Sequence, residues 1–397
     1  MADPIAEATP PQLSLTALFL KFLRFGLLAF GGPVTQIAML RQALVEEERW
    51  IAPARFNRLL AVLQILPGPE AHELCVHLGM IARGRLGGVL AGLGFMLPGF
   101  LLMLCAGWLY VTWIAGNAGF ANMLLGVQIV VLAIILRAVF RIGQHIIEDG
   151  VLAVLAVASL IATWLGVAFW IPLVVAGAVY GLAHRPVAVA VVILAVCGSA
   201  GVAELYASAS HGAASVPGTA ATIPALFVAG LKGGLLTFGG AYTAIPYVRA
   251  DTVGRGWIAD ATFLDGIALA GLLPAPLVIF ATFVGYVVGG PLGAVAITAG
   301  MFLPAFAFSL ILFERLEAIV ENPALHRVLA GVAAAVVGII AATFVTLAQA
   351  TGDRADHPLA ALLLFGAALV TVWRLKGGWV TPALVGAGAI IGAVMAL

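Results

Sequence analysis

Gly26-Leu27-Leu28-Ala29-Phe30-Gly31-Gly32 returns later in the chain as Gly234-Leu235-Leu236-Thr237-Phe238-Gly239-Gly240, with one residue changed in seven. Outward from this phrase the match continues with two one-residue slips. Arg41 answers to Arg249, Trp50-Ile51 to Trp257-Ile258, and Phe56 to Phe263. Leu66-Pro67-Gly68-Pro69 answers to Leu273-Pro274-Ala275-Pro276, and Gly79, Gly84, Gly87 and Leu97-Pro98 to Gly285, Gly290, Gly293 and Leu303-Pro304. About a third of about seventy aligned positions are identical, more than shared apolar composition produces. Leu125-Gly126-Val127 resembles Ala330-Gly331-Val332, so the parallel runs past the aligned core. The chain divides into one copy at 1–185, a second at 223–397, and a connecting segment at 186–222.

Composition says where such a chain lives. Of 397 residues 63% are hydrophobic and 9% charged, with net charge +1 and a mean hydropathy of +1.14. A soluble domain carries about 25% charged residues. The balance excludes a soluble enzyme, a nucleic-acid binder and a disordered scaffold, and leaves about a dozen spans of about 20 residues. The expected fold is an all-α polytopic membrane protein of about thirteen transmembrane helices, in two inverted repeats with broken helices.

The expected spans are 14–40, 56–83, 86–114, 119–144, 149–166 and 167–183, then 222–248, 263–289, 292–313, 326–350, 358–374 and 379–396. An unmatched span at 186–203, followed by the Ser/Gly/Ala-rich linker Ala207–Thr222, separates the two sets. One extra span between two even-numbered halves inserts the second half upside down. Re-entrant hairpins at 56–83 and 263–289 balance the loop charges about as well, so both topologies stay open. Met1–Gln12 lacks the basic region of a cleavable signal, and the first span is expected to be retained. Cys75, Cys105 and Cys197 lie in apolar runs without Cys-x-x-Cys spacing, so no disulfide framework and no metal are expected.

Two features of the repeat bear on chemistry. Pro67-Gly68-Pro69 and Pro274-Ala275-Pro276 sit inside apolar segments. Proline removes a backbone donor and clashes with the preceding turn, so each segment breaks there. A break at bilayer depth is tolerated only where it lines a cavity or is buried by protein. The half-helix that begins there offers free N–H groups and a positive dipole end to an anion. Phe30-Gly31-Gly32 and Phe238-Gly239-Gly240 loosen the backbone in the same way. Kinking for close packing is the alternative use of these residues.

The second feature is charge. Arg24 and Lys232 occupy equivalent positions about two turns into the first span of each copy, and Lys21 lies one turn earlier than Arg24. An unpaired cation in lipid costs about 3 kcal/mol or more, so such a residue faces a cavity or a partner. Inverted symmetry would set Arg24 and Lys232 on opposite sides of one cavity, while Lys21 either lines an entry or snorkels to the interface. Glu70, His72 and Glu73 follow the first break. Glu70 is a candidate for capping a helix dipole, and the three together for carrying protons. Gln36 and Gln64 can donate amide hydrogen bonds to an oxyanion or across helices. Asp251 and Asp265 read as loop or interface charges. No Walker loop, His-Glu-x-x-His or Ser/His/Asp constellation is present, so no enzyme activity is expected.

At these motifs the sequence resembles the chromate ion transporter superfamily, in its long two-domain form. The residues that carry the resemblance are Phe30-Gly31-Gly32-Pro33, Trp50, Gln64-Ile65-Leu66-Pro67-Gly68-Pro69-Glu70-Ala71, Gly79 and Leu97-Pro98. In the second copy they are Phe238-Gly239-Gly240-Ala241-Tyr242, Gly256-Trp257, Phe263-Leu264-Asp265-Gly266, Pro274-Ala275-Pro276, Ala281-Thr282-Phe283-Val284-Gly285-Tyr286 and Phe302-Leu303-Pro304. Thr35-Gln36 stands where family members often carry histidine, and His72-Glu73 where glutamines are common. The resemblance implies export of chromate across a bacterial inner membrane, with chromate resistance as the outcome and sulfate as a related substrate or competitor. It also implies opposite orientation of the two halves.

The expected substrate-binding set is then Arg24, Phe30, Gly31, Gly32, Pro33, Gln36, Gln64, Pro67, Gly68, Pro69, Lys232, Phe238, Gly239, Gly240, Tyr242, Pro274, Ala275 and Pro276. Expected partners are chromate, sulfate and the lipid bilayer, with a homodimer as a further candidate; no cofactor and no nucleic acid are expected. One charge through 100 mV is worth about 2.3 kcal/mol, so a dianion leaving a negative interior gains about 4.6 kcal/mol. This favours export by alternating access, driven by the membrane potential with or without protons. A permease for sulfate or another tetrahedral oxyanion, a passive channel, a membrane-embedded enzyme and a non-transporting scaffold remain the alternatives.

Overall fold

Each copy of the repeated phrase ends a helix. Helix α1 (Leu15–Leu27) opens on Ser14, whose hydroxyl accepts from the Ala17 amide at 3.1 Å, and closes where the Leu28 amide donates to the Arg24 carbonyl at 3.2 Å. Its counterpart α8 (Ile223–Leu235) opens on Thr222, with Pro224 in the first turn, and closes where Leu236 donates to the Lys232 carbonyl at 3.0 Å. Serine or threonine at the start and a glycine-rich exit are what helix capping asks for.

The computed structural model describes residues 11–30, 32–63, 68–168, 170–182, 220–237, 241–312, 323–375, 377 and 379–395. Among them no strand occurs. In the first copy α1 is followed by α2 (Pro33–Arg41), α3 (Pro53–Leu63), α4 (Glu70–Leu109), α5 (Ala121–Ile146), α6 (Gly150–Trp164) and α7 (Trp170–Gly181). The second runs from α8 through α9 (Ile245–Thr252), α10 (Asp260–Leu272), α11 (Phe280–Leu312), α12 (Pro323–Gly352) and α13 (Pro358–Arg374) to α14 (Val380–Met395). Among the described residues four segments, 70–114, 121–146, 277–311 and 326–352, are long and apolar enough to cross a membrane, and five shorter apolar helices accompany them. Large apolar side chains such as Leu101, Leu292, Leu362 and Val394 face outward, as a lipid-facing surface requires. The chain is an all-helical membrane protein. The expected span at 186–203 lies outside the described residues.

α4 and α11 are each folded in two. At Arg83 and Gly84 the backbone takes φ, ψ of −145°, 32° and 62°, −159°; at the equivalent Gly289 and Gly290 it takes −134°, 19° and 63°, −158°. The positive φ is open to glycine at little cost, which explains why both copies keep it there. The arms on either side return against one another at contact distance. A β-carbon on Gly79 would stand 2.5 Å from the Gly87 carbonyl oxygen, and one on Gly285 2.5 Å from that of Gly293.

The copies interlock through these bent helices. The second arm of α4 packs on the second arm of α11 with Gly88 against Leu310 and Gly92 against Phe306. Positions that rise on one helix fall on the other, so these two equivalent arms run antiparallel. The bend at Gly84 and the bend at Gly290 therefore lie at opposite ends of the pair. The closing helices are exchanged: α6 and α7 pack on α12, whereas α13 and α14 pack on α5. A β-carbon on Gly126 of α5 would sit 2.2 Å from the Gly388 carbonyl oxygen, and one on Gly331 of α12 2.3 Å from that of Ala176.

The segment expected as a span at 263–289 doubles back. Phe263 and Phe280 meet edge to face with ring centroids 5.6 Å apart, and Gly266 lies against the Phe283 ring. A straight helix would hold residues seventeen apart about 25 Å from each other. The turn falls at Leu273–Pro276, where proline and extended backbone end α10. This is the hairpin alternative for that segment, and the reason is the proline pair.

Glycine at the exchanged interface is required by distance. Gly126→Leu and Gly331→Leu are each expected to cost more than about 2 kcal/mol by overpacking. Gly366→Ala, on α13 with nothing within 4 Å of a built β-carbon, is expected to be neutral or stabilising by up to about 1 kcal/mol. Thermal unfolding midpoints in detergent will order the three variants.

Candidate functional site

The breaks of the two copies meet crosswise. The Gly68 amide, in the first copy's Pro-Gly-Pro turn, donates to the Thr237 carbonyl at the end of α8 at 2.8 Å. At the reciprocal place Gln36 of α2 donates through Nε2 to two carbonyls, Ala29 at the end of α1 (2.9 Å) and Ala275 in the second copy's Pro-Ala-Pro turn (3.0 Å). Ala29 is the equivalent of Thr237, and Ala275 of Gly68, so each turn docks on the other copy's helix end. A second reciprocal pair brackets the first. A β-carbon on Gly99 would lie 2.3 Å from the Ala275 Cβ, and one on Gly68 3.4 Å from the Ala305 Cβ, with Gly99 and Ala305 both following the Leu-Pro motif. Helix ends carry backbone groups with no partner inside their own helix. Here the opposite copy supplies the partner at Thr237, and Gln36, which also reaches across to Ala275, supplies the one at Ala29.

The first copy lines this crossing with buried polar groups. Glu70 is 7% exposed and Glu73 and His72 are fully buried, in the opening turn of α4, which no side chain caps. His72 packs edge-on between Phe302 and Phe306 of α11, with centroids 4.9 and 4.7 Å away; the Gly92 backbone lies beside its ring, short of hydrogen-bond geometry. Both Glu73 oxygens and the Gln36 Oε1 have no hydrogen-bond partner among the described residues. Pro69, Pro274 and Pro276 are buried, Pro33 is half-buried, and Gly32 takes φ 83° at the start of α2. Phe30 is exposed. Gly31, Gln64, Pro67, Phe238, Gly239 and Gly240 lie outside the described residues.

The expected cations are distributed differently. Arg24 and Lys232 both stand in the last turn of their helices, where a positive charge opposes the negative dipole end. Arg24 is exposed and without an ion pair among the described residues. Lys232 pairs with Asp251 at 3.1 Å, and Arg255 shares that carboxylate at 2.8 Å. Lys21 pairs with Glu48 and lies 5.4 Å over the Trp50 ring, a local ion pair away from the crossing.

Three features went unread in the sequence: the burial of two acids, and a pair of arginines beside the expected Tyr242. Asp251 and Asp265, expected as loop or interface charges, are 6% and 2% exposed. The Asp265 oxygens accept from the Tyr110 hydroxyl (2.7 Å) and the Gln128 amide (2.6 Å), and the Gln128 Oε1 accepts from Arg354. A carboxylate within the apolar run 260–272 was the available signal, since such residues are rare in spans. Third, Tyr242 stands within electrostatic reach of Arg137 and Arg141, one helical turn apart on α5. Neither arginine has an ion-pair partner among the described residues, so Tyr242 stands near two guanidinium groups without a counter-ion there.

Losing the Gln36 amide leaves two buried carbonyls unpaired. Gln36→Leu is expected to cost about 2 kcal/mol or more, read as a lower unfolding midpoint in detergent, with Ala38→Ser on the exposed side of α2 near neutral.

Comparison with known proteins identifies the family. The family described as chromate transporter matches residues 16–182 and again 224–393. A chromate transport protein of Pseudomonas aeruginosa is 56% identical over 94% of this chain and 91% of its own length. One of Cupriavidus metallidurans is 30% identical over 97% of this chain and 94% of its own, and a probable chromate transport protein of Synechococcus elongatus is 28% identical over 97% and 96%. No solved structure matches. With the family's description covering both copies, and relatives aligned from end to end, the chain belongs to the chromate transporter family.

Proposed function

We propose that this protein is a secondary exporter of chromate in the bacterial inner membrane, alternating access between two oppositely inserted copies. The observation that carries the reading is the crossed docking of each Pro-x-Pro turn on the other copy's helix end. Such a crossing joins broken helices of two repeats at one point, the arrangement secondary transporters use for a substrate site. The antiparallel run of the equivalent arms of α4 and α11 supports opposite insertion, because spans related by an axis in the membrane plane point in opposite directions. The membrane potential supplies the direction, since expelling a dianion from a negative interior gains about 4.6 kcal/mol per 100 mV.

The anion would meet the backbone of the two breaks together with unpaired guanidinium groups. Arg24 and Arg137, both of the first copy and the latter beside Tyr242 of the second, meet that requirement better than Lys232, whose charge Asp251 offsets. Sulfate, a tetrahedral dianion of similar size, would compete.

Uptake of radiolabelled chromate into everted vesicles tests the function. Arg24→Ala and Arg137→Gln are each expected to lower uptake at least about tenfold, equivalent to about 1.4 kcal/mol. Normal uptake at equal expression would remove that residue from the path, and no saturable chromate uptake in the unaltered protein would overturn the reading. Competition by sulfate against chromate decides between a chromate exporter and a general oxyanion permease. In a background without Cys75, Cys105 and Cys197, cysteines at Arg85 and Leu292, beside the two bends, are expected to react with an impermeant maleimide from opposite sides of the membrane. Labelling of both from one side would refute opposite insertion.

A further inference from the structure

Of the buried groups that the transport reading leaves unused, Glu73 is the one set against a break. Glu73 is fully buried, and neither of its carboxyl oxygens has a partner among the described residues. It points at the first copy's turn: a β-carbon on Gly68 would stand 2.5 Å from its Oε1, so glycine at φ 145° leaves the space that the carboxyl occupies. The second copy has no such group. Ala275 stands in place of Gly68, and Phe280, its ring against Phe263, in place of Glu73. A scaffold repeated in both copies thus holds a carboxyl in only one.

The surroundings give Glu73 no counter-charge. On its own helix the ionisable neighbour that acts on it is Glu70, one turn away and also acidic. His72 turns to the Phe302 and Phe306 rings, and His77 faces Arg55 of α3. α11, packed across it, carries Tyr286 as its one titratable side chain, and that ring lies against Gly107. From α2 the facing group is the neutral Gln36; at the ends of α1 and α8, Arg24 is exposed and Lys232 belongs to Asp251. A bare carboxylate in apolar surroundings costs many kcal/mol, so a carboxyl kept there without a cation partner is a site for a proton.

We propose that Glu73 binds the proton that this protein exchanges for its anion. The proposal rests on the transport reading above. The carboxylate takes up one proton from the outer side while the crossing is open outward, and releases that proton inward when the anion binds. No covalent bond to carbon changes. Each cycle moves a dianion out and one proton in, three charges in place of two, and a single copy of the site gives one proton per cycle.

Purified protein in liposomes, at a pH where chromate stays a dianion, tests this. In the unaltered protein the voltage at which net chromate flux is zero is expected to shift when a pH difference is imposed, and Glu73→Gln is expected to lose that shift. A shift of the same size in Glu73→Gln, or none in the unaltered protein, would overturn the proton site and leave chromate transport standing. No chromate flux under either gradient would instead sink the transport reading. A second measurement stands apart from cargo and from the fate of the variant. Dicyclohexylcarbodiimide, an apolar reagent for protonated carboxyls, is expected to modify Glu73 in the unaltered protein, with at least a fivefold loss at alkaline pH. Absence of the adduct at Glu73, or an adduct indifferent to pH, counts against it.

Discussion

A peptide group freed inside a bilayer has no water to bond, and this constraint organises the molecule. Each copy breaks its chain twice, at Phe-Gly-Gly and at Pro-x-Pro, and each break exposes backbone groups that an intact helix would have consumed. Gly68 finds the Thr237 carbonyl, and Gln36 spans the carbonyls of Ala29 and Ala275. Gly68 and Ala275 thus find their partners in the other copy, while the Ala29 carbonyl is held by Gln36 of its own copy. The small residues around the crossing serve the same end: Gly68, Gly99, Ala275 and Ala305 let two backbones approach to a distance at which a hydrogen bond can form.

The exchange of closing helices extends that dependence outward. With α6 and α7 on α12, and α13 and α14 on α5, the first copy completes the second and the reverse. Gly126 and Gly331 mark the two contacts at equivalent places, and only a missing side chain fits between the helices there. Separating the halves would therefore uncover apolar faces and orphaned backbone groups at once.

On this symmetric frame the chemistry is one-sided. The first copy contributes the amide of Gln36 and the buried Glu70, His72 and Glu73; the second has Ala244, Leu277, Ile279 and Phe280 at those places. Arg137 and Arg141, without ion pairs among the described residues, stand near Tyr242, and a satisfied acid, Asp265, ties the second hairpin to α5 and to Tyr110. An acidic crossing beside a basic approach suits a cycle in which a proton and a dianion use neighbouring ground.

Much of this was legible in the residues alone. The repeat, the helix breaks near Gly32 and Pro69, the limits of α5–α7 and α12–α14 within a few residues and the family all follow from local rules: proline and paired glycines interrupt helices wherever they stand, and apolar runs of fixed length declare themselves. What the sequence left open was partnership. That Asp251 offsets Lys232, that Asp265 is buried against Tyr110 and Gln128, that 263–289 folds back on itself, and that each turn crosses to the other copy depend on groups from 17 to more than 200 residues apart. Local periodicity holds no information about such distances; the need to pair every buried charge and backbone group decides them, and only the folded chain shows which pairs were chosen.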